Sequence, residues 1–423
     1  MKRAGIILII FTIIFSSCED KFTHEYMANT PVYMSYDELR EGVKQTEAKA
    51  LESHGKIYFK DQYIFLIKEL EGIHVIDNSD PANPVNTTFI EIPGCIDMAI
   101  KDHVLYADSY IDMVSLNVSD IENISVIDRI TDVMPYTLPP WDENYPIGPI
   151  DRDSGVVIGW ETKMVKDNFE YYPYPVYAYN DYLEGGLRIS ADVSNGGGVS
   201  GQGIGVGGSM ARFGILEETL YAVDTDQLHI FDIGNVEDPV FKNSYYVGWN
   251  IETMFIYDEK AFFGTRNGMT IYSLVNPYAP VYISEFWHIS SCDPVVVKDD
   301  LAYITLRGGN ACGSEVNLLE VINLEDIESP ELIASYNMTE PYGLGISENT
   351  LFLCDGDAGL KIYDVEDPLH IDDNYIAGFE DIHAYDVIPL GSILILVGEN
   401  GIFQYDYSNI IDIQLLSEIV IGE

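Results

Sequence analysis

Basic residues are scarce in this chain. The 423 residues include 22 Lys and Arg against 69 Asp and Glu, which gives a formal net charge of −47 at pH 7. A field of this sign repels nucleic acids and anionic membrane surfaces, so we expect neither to bind the folded surface. Hydrophobic residues make up 47% of the chain and aromatic residues 12%, which is too apolar for a disordered acidic protein. The acidity therefore belongs to the exterior of a folded domain, and divalent cations are the partners it favours.

Cysteine, histidine and catalytic motifs are also sparse. The five cysteines and eight histidines include no pair at a metal-ligand spacing such as His-Glu-x-x-His. No Gly-x-Ser-x-Gly elbow and no Gly-x-x-x-x-Gly-Lys phosphate loop occurs. The sequence therefore predicts no catalytic residues, no metal ligands and no cofactor. Ca²⁺ in a structural role is the one ion that the acidic loops 224–226 and 355–357 would suit, although both are equally explained as turns.

An apolar run long enough to cross a bilayer is missing. Residues 1–18, MKRAGIILIIFTIIFSSC, have two basic residues, a short apolar stretch and small residues before Cys18, which is typical of an export signal. The ending FSSC resembles the bacterial lipobox, which implies a lipoprotein signal peptide at 1–18 and lipidation of Cys18. An ordinary cleaved signal is the alternative. The acidic pair after Cys18 resembles the tag of surface lipoproteins, so we expect an outer-membrane lipid anchor, facing the cell surface or the periplasm.

A repeated segment runs along most of the chain. Its clearest copy is GLKIYDVEDP from Gly359, and the seven copies begin at residues 72, 113, 227, 268, 318, 359 and 401. Successive starts are separated by 41, 114, 41, 50, 41 and 42 residues, so a period near 41 is interrupted once, by a long insertion. A period of this size indicates a repeat architecture. His74 and His229 occupy the same place in two copies, which predicts a surface position on a strand and not a metal pair.

Each copy is typical of a strand followed by a turn. In the first copy, Ile73, Val75 and Ile76 suit a pleated strand, and Asp80 before Pro81 suits an Asx turn. Three more short apolar segments fit into each period, and four short strands in about 40 residues make a propeller blade. The sequence therefore predicts an all-β, seven-bladed β-propeller of four-stranded antiparallel blades over residues 56–423. Six or eight blades are the alternatives, and Gly and Pro inside each unit exclude helical repeats.

The repeats also carry a family resemblance. The Gly-apolar-x-apolar-apolar-Asp core and the Asp-Pro-x-x-Pro tail, complete at residues 80–84, resemble the LVIVD repeats of bacterial propeller lipoproteins. The resemblance covers residues from about 56 to 420, and the tail is degraded at 120–124 and 276–280. It implies a propeller fold and a location in the cell envelope. It implies no catalytic residues, because the family has no general catalytic motif.

Two segments lie outside the repeats. In residues 19–55 the Ser-x-x-Glu spacing from Ser35 predicts a short helix from Asp37 towards Ala48, and we expect this segment to act as tether and plug. The insertion at about 135–208 begins with a Pro-rich stretch and continues through VVIGWETKMVK, which predicts a hairpin. It continues with a Tyr/Pro segment and ends in a glycine-rich run, which we interpret as a flexible connector. Its aromatic residues are candidate contacts for a partner: Trp141, Tyr172 and Tyr174.

The blade geometry predicts which cysteines can form a disulfide. Cys292 opens the first strand of blade 5 and Cys312 follows its second strand, and these two points lie side by side on one face of the ring. In an exported protein this predicts a Cys292–Cys312 disulfide. Cys95 and Cys354 fall in blades 2 and 6, too far apart to pair, so we expect both to be buried and reduced.

The same geometry places polar residues on that face, together with the insertion. These are Asp97, Asp108, Arg212, Asp224, Asn250, Glu252, Arg266, Asp293, Arg307, Asp355, His383 and Asp386. Arg212, Arg266 and Arg307 come from three successive blades, and three guanidiniums could clamp a carboxylate or phosphate. The alternative is that each arginine satisfies a neighbouring acid such as Asp293 or Glu252.

We expect a monomeric binding or scaffold protein without chemistry of its own, with a protein or glycan of the cell envelope as its partner. Its candidate ligand-binding residues are Arg212, Arg266, Arg307, Glu252, Asp293 and His383. The rival hypothesis is a polysaccharide hydrolase or lyase with carboxylates at the mouth of the channel. An enzyme would hold a His or a second carboxylate at a fixed distance from an acid, whereas a docking surface would present exposed aromatic rings.

Overall fold

The computed structural model describes residues 23–53, 55–168, 204, 206–207, 211–265, 267–288, 294–308 and 316–422. Several residues singled out above lie outside this part of the chain: Cys18, Tyr172, Tyr174, Arg266, Cys292, Asp293 and Cys312. Among the described residues, no helix has both the length and the apolar character needed to cross a membrane.

The described residues form seven four-stranded antiparallel blades, so the predicted β-propeller is confirmed. The chain begins with β1 (Thr23–Met34), α1 (Tyr36–Glu41) and β2 (Lys44–Glu47). Blade 1 contains β3 (Ile57–Lys60), β4 (Tyr63–Lys68), β5 (Gly72–Asp77) and β6 (Val85–Glu91). Blade 2 contains β7 (Met98–Lys101), β8 (Val104–Ser109), β9 (Asp112–Asn117) and β10 (Ser125–Ile130). The insertion supplies a short 3-10 helix (Arg152–Ser154), β11 (Val156–Asn168) and β12 (Val206–Gly207).

The remaining five blades follow in chain order. Blade 3 contains β13 (Phe213–Leu216), β14 (Thr219–Val223), β15 (Gln227–Asp232) and β16 (Val240–Tyr246). Blade 4 contains β17 (Ile251–Tyr257), β18 (Lys260–Thr265), β19 (Gly268–Ser273) and β20 (Val281–Trp287). Blade 5 contains β21 (Val295–Lys298), β22 (Leu301–Leu306), β23 (Leu318–Asn323) and β24 (Glu331–Asn337). Blade 6 contains β25 (Leu344–Ser347), β26 (Thr350–Cys354), β27 (Leu360–Asp364) and β28 (Tyr375–Phe379), with a 3-10 turn at Asp372–Asn374. Blade 7 contains β29 (Ala384–Leu390), β30 (Ile393–Gly398), β31 (Gly401–Asp406) and β32 (Gln414–Val420).

The glycine that opens several repeats has a steric cause. At Gly72 the backbone has φ +146°, and a Cβ atom there would lie 1.9 Å from the carbonyl oxygen of Ile90 on the neighbouring strand. Gly268 and Gly359 meet the same obstacle at 1.9 and 1.8 Å. The third strand of these blades therefore starts with, or directly follows, a residue that has no side chain.

The aspartates of the repeat form the predicted turns. The Asp77 carboxylate accepts a hydrogen bond from the Ser79 N–H at 2.9 Å, and Asp80 accepts one from the Ala82 N–H at 3.1 Å. Each turn leads from the third strand of a blade to the fourth.

The ring closes without exchange of a strand between the two ends of the chain. Blade 1 and blade 7 are each built from four consecutive strands, and their core side chains pack together, with Ile64 and Leu66 in the same cluster as Leu394 and Leu396. The side-chain amides of Asn78 and Gln404 are buried at this junction. Each donates to the other, at 2.8 and 2.7 Å. Apolar packing and this reciprocal amide pair therefore stabilise the closure, together with a hydrogen bond from the Ser417 hydroxyl to the Pro81 carbonyl.

The N-terminal segment departs from the prediction in part. The capping box is present, because Ser35 Oγ accepts from the Glu38 N–H and the Ser35 N–H donates to Glu38. The helix ends at Glu41, however, and Lys44–Glu47 forms β2 on the outer edge of blade 1. Gln45 explains the difference: its side chain donates to the Ile121 carbonyl and accepts from the Ile124 N–H, which joins blade 1 to blade 2.

The predicted hairpin in the insertion is wrong. Val156–Asn168 is one continuous strand, and it pairs along its whole length with Thr23–Met34. We call this two-stranded sheet the N-terminal ribbon. Its middle is fixed by Asn29, whose buried side chain donates to the carbonyls of Asp142 and Tyr145 at 2.8 and 2.7 Å. The strand therefore pairs with a segment more than a hundred residues earlier in the chain, and not with its own second half.

Both cysteines in the described part of the chain are free and buried, as predicted for Cys95 and Cys354. The predicted Cys292–Cys312 disulfide lies outside the described residues.

Candidate functional site

One face of the propeller carries the loops in which the predicted polar residues lie. We call it the upper face: the first strand of each blade begins there and the second strand ends there. Because strands alternate in direction, the fourth strands also end on this face. The long insertion follows the end of β10 and precedes β13, so it leaves and rejoins the propeller at the upper face as well.

Two of the three arginines of the predicted clamp lie in the described part of the chain, and both are engaged by neighbouring groups. Arg212 donates from Nη2 to the carbonyl of Ile251 at 3.3 Å. Arg307 is buried, stacks over the Tyr342 ring with 4.0 Å between Cζ and the ring centroid, and lies 3.9 Å from a Glu340 carboxylate oxygen. The predicted clamp of three guanidiniums includes Arg266, so it stays a prediction. Glu252, the second residue of β17, is half-buried.

His383 belongs to a compact group of three side chains that we call the corner site: Glu340, Asp357 and His383. One ligand atom from each lies within 4.8 Å of the other two, and this is the only such group among the described residues. His383 Nδ1 is 2.6 Å from Asp357 Oδ1. The three residues come from three different loops of the upper face, around blades 6 and 7.

Aromatic rings form the wall of the corner site. The Tyr385 ring lies 4.7 Å from the His383 ring and 5.0 Å from the Tyr342 ring, centroid to centroid. Tyr342 donates its hydroxyl to Glu340 Oε1 at 2.9 Å. Burial raises the pKa of the Tyr342 phenol above its ordinary value, so it stays protonated and remains a donor. The wall thus fixes both His383 and one oxygen of Glu340.

Several aspartates predicted on this face point into the protein. Asp97 accepts from Lys56 Nζ and the Tyr58 hydroxyl, both at 2.7 Å, and from the Arg212 N–H at 2.6 Å. Asp108 accepts from the N–H groups of Ile96 and Asp97. Burial raises the pKa of Asp108 to about 7. These carboxyls hold blades 1, 2 and 3 together at the mouth of the channel.

Asp355 and Asp386 are also completely buried. Asp355 accepts from the N–H groups of Thr339 and Glu340 and from Lys361, so it orders the loop that carries Glu340. Neither carboxylate oxygen of Asp386 has a hydrogen-bond partner among the described residues, and burial raises the pKa of this carboxyl well above its ordinary value.

The sequence missed a buried polar group in blade 3. His229 Nε2 lies 2.9 Å from Asp224 Oδ2, and His229 Nδ1 lies 2.8 Å from Ser244 Oγ. Burial opposes ionisation of Asp224, but hydrogen bonds from His229 and from two backbone N–H groups lower the pKa of its carboxyl overall. The prediction that His74 and His229 occupy a surface position is wrong, since both are buried.

Exposed aromatic residues cluster at the top of blades 3 and 4. Tyr246 is 65% exposed, Trp249 58% and Trp287 66%. We call them the aromatic rim. Tyr246 ends the fourth strand of blade 3, Trp249 lies in the loop to blade 4, and Trp287 ends the fourth strand of blade 4. All three therefore stand on the upper face. Trp141, in contrast, is half-buried against Trp160, with 6.3 Å between ring centroids.

Comparison with known proteins identifies no family for this chain. No family model matches the chain, and no curated protein matches it. A computationally designed protein, Ika8, aligns over 88% of this chain and 90% of its own at 10% identity, with a TM-score of 0.49. The N-terminal domain of Nup159 aligns over 89% and 93% at 9% identity, with a TM-score of 0.43. Kluyveromyces lactis Hsv2p aligns over 74% and 75% at 10% identity, with a TM-score of 0.40.

Proposed function

We propose that this chain is a non-catalytic binding lipoprotein of the cell envelope, and that its upper face, with the 135–208 insertion, binds a protein or glycan partner. The aromatic rim is the observation that carries the proposal. The resemblance to LVIVD-repeat lipoproteins and the FSSC ending support the location in the envelope and attachment through Cys18.

The rim has the chemistry of a recognition surface. Tryptophan and tyrosine are large and rigid, carry much of the binding energy at interfaces, and are mostly buried to a large or intermediate extent in folded proteins. Tyr246 and Trp287 end the fourth strands of adjacent blades, so the rigid blades hold these two rings in place, and Trp249 lies in the loop between the blades. Flat rings of this kind stack on the apolar face of a sugar or on a partner's side chains. The strongly acidic exterior favours a neutral or cationic partner.

Photo-crosslinking in intact cells tests this proposal. A photoreactive phenylalanine analogue at position 249 is expected to capture one discrete envelope component. The matched control carries the analogue at position 411, because Ile411 is 83% exposed in a loop of blade 7 on the opposite face. Equal labelling from both positions would contradict the proposal.

Truncation of the rim supplies the affinity test. The Trp249→Ala and Trp287→Ala variants are expected to weaken binding of the captured component, or of purified envelope polysaccharide in co-sedimentation, by about 30-fold each, which corresponds to about 2 kcal/mol for a buried aromatic anchor. Ile411→Ala should leave binding unchanged. Loss of binding in all three variants would indicate a general effect on solubility instead of a site.

The anchor has its own test. The Cys18→Ala variant should move the protein from the membrane fraction to the soluble fraction, and labelled fatty acid should no longer be incorporated. Protease added to intact cells then separates a surface location, in which the chain is digested, from a periplasmic one, in which it is protected until lysis. Membrane retention of the Cys18→Ala variant would refute lipid attachment at this residue.

A polysaccharide hydrolase or lyase is the second candidate function. The corner site favours it, because His383 and Asp357 form the His–acid pair at fixed separation that general acid–base catalysis needs. Release of reducing ends or unsaturated sugars from envelope polysaccharide, abolished in His383→Ala and retained in Trp249→Ala, would establish this function over the first.

A further inference from the structure

The corner site has the donor set of a metal centre. Glu340 and Asp357 each offer a carboxylate oxygen and His383 a ring nitrogen, all within 4.8 Å of one another. Two atoms that bind the same Zn²⁺ at about 2.1 Å lie at most about 4.2 Å apart, so small side-chain rotations bring all three into range. One nitrogen and two oxygens suit a borderline first-row ion such as Zn²⁺ better than Ca²⁺, which prefers oxygen alone.

The environment holds two of the three ligands in position. Glu340 Oε1 accepts a hydrogen bond from the Tyr342 hydroxyl. The loop between β26 and β27 approaches the other oxygen, since a Cβ atom at Gly356 would lie 2.8 Å from Glu340 Oε2. His383 is packed against Tyr385. Outer contacts of this type fix the orientation of metal ligands. Only one oxygen of Glu340 is therefore committed to Tyr342, and the other is directed to the loop that carries Asp357.

Asp357 is the adjustable ligand. Its side chain is 83% exposed, and its Oδ1 lies 2.6 Å from His383 Nδ1, which is a hydrogen-bond distance. A metal ion replaces the shared proton, and two atoms on one ion at about 2.1 Å and an angle of about 90–109° are about 3.0–3.4 Å apart. The pair must therefore open by about half an ångström, and rotation of the exposed Asp357 side chain allows this.

The surrounding charges point the same way. Arg307 lies 3.9 Å from Glu340 and compensates only one of the carboxylates.

We propose that Glu340, Asp357 and His383 bind one divalent first-row metal ion, of the Zn²⁺ class, on the upper face between blades 6 and 7. No sequence motif marks this site, because its ligands are separated by 17 and 26 residues and meet only when blades 6 and 7 are side by side. The ion keeps open positions that face solvent, where an anionic group of a partner can bind. The aromatic rim lies on blades 3 and 4, so the corner site and the aromatic rim are separate parts of the upper face.

Calorimetric titration of the mature full-length chain with Zn²⁺ tests the site. Millimolar Mg²⁺ in the buffer occupies the diffuse acidic surface, so that only a specific site remains visible. We expect one Zn²⁺ per chain. Asp357→Asn and His383→Ala should each weaken binding at least about tenfold, because a lost ligand costs no less than the 10–100-fold of a lost outer-shell contact.

The chain offers a matched control pair in blade 6. His370 Nδ1 lies 2.9 Å from Asp367 Oδ2, but this pair belongs to no three-residue group among the described residues. Asp367→Asn and His370→Ala make the same changes in charge and should leave Zn²⁺ binding unaltered. Circular dichroism checks folding, and Asp357→Asn decides the matter if His383→Ala unfolds, since an exposed side chain contributes little to stability.

Three results would overturn the proposal. The first is the absence of a one-to-one site in the presence of Mg²⁺. The second is one-to-one binding that survives in both Asp357→Asn and His383→Ala. The third is an equal loss of binding in the corner-site variants and the blade 6 controls, which would show that only net charge matters.

Discussion

The most informative perturbation of the fold is Asp112→Asn. Asp112 is completely buried at the start of the third strand of blade 2 and lies 3.1 Å from both Arg40 Nε and Arg129 Nη1. It also accepts from the Asp132 N–H at 3.0 Å. Arg40 belongs to α1, so this one carboxylate ties the N-terminal segment to the propeller.

The magnitude follows from the burial of the partners. Asparagine keeps the shape and can still accept from the backbone, but it leaves Arg129, which is mostly buried, without its counter-charge. Removal of one partner from a buried ion pair costs about 3–5 kcal/mol, and the part-exposed Arg40 can turn to water, so we expect about 3 kcal/mol. With an unfolding entropy of about 2.1 cal/mol/K per residue over roughly 400 residues, this lowers Tm by about 4 °C.

Thermal melts and hydrogen exchange measure the effect. Amides of α1 should exchange faster in Asp112→Asn than those of blade 6. The control is Asp132→Asn: Asp132 is exposed and lies 3.5 Å from Arg40, so its loss should cost no more than about 1 kcal/mol. The double variant Asp112→Asn/Arg129→Met should recover part of the loss, since no buried cation is left unpaired. Equal, small effects of Asp112→Asn and Asp132→Asn would refute the assignment of Asp112 as the anchor.

Three further predictions concern the closure of the ring and the dependence of stability on pH. Gln404→Leu should lower the free energy of unfolding in urea by about 1–3 kcal/mol, because it leaves the buried Asn78 amide unsatisfied. The double variant Asn78→Val/Gln404→Leu should lose less stability. An equal or larger loss in the double variant would contradict this reasoning. Burial lowers the pKa of His74 to about 4, so the unfolded chain binds more protons than the folded one and stability falls as the pH drops from 6.5 to 4. In His74→Gln, stability should fall less steeply over this pH range. The pKa of Asp108, raised to about 7, acts in the opposite direction, because the stability that protonated Asp108 contributes is lost as the pH rises from 4 to 7. Asp108→Asn should therefore gain stability relative to the native chain at pH 8. Parallel profiles of stability against pH in the variants and the native chain would contradict both assignments.

The blades were predictable because their determinants are local. Ile73, Val75 and Ile76 favour a strand, Gly72 is required by the close carbonyl of Ile90, and Asp80 makes its turn within three residues. Repetition of this pattern fixed the number of blades. The N-terminal ribbon was not predictable, since its strands come from 23–34 and 156–168 and neither carries a pattern that identifies the other. The corner site was not predictable for the same reason, since its three residues come from separate loops and no pattern in one loop identifies the others.

The misplacement of the buried polar residues has a different physical cause. A polar residue that alternates with apolar ones on a strand usually faces solvent, and that reasoning put His74 and His229 on the surface. In a propeller, both faces of an inner strand are covered by the adjacent blades. Period-two patterning therefore distinguishes one neighbouring blade from the other and does not distinguish core from solvent. Both histidines are accordingly buried.

Blades 3 and 6 show what such interior positions are used for. In blade 3, Asp224 at the end of the second strand bonds His229, the third residue of the third strand. In blade 6, Asp355 and Lys361 stand in the corresponding positions and form the corresponding pair. Each acid also accepts from backbone N–H groups of a loop on the upper face: Asp224 within its own turn, and Asp355 from the loop that carries Glu340. Since unpaired buried charge is costly, each pair constrains its loop to one conformation. The same repeat position that stabilises a turn in blade 3 thus positions a ligand of the corner site in blade 6.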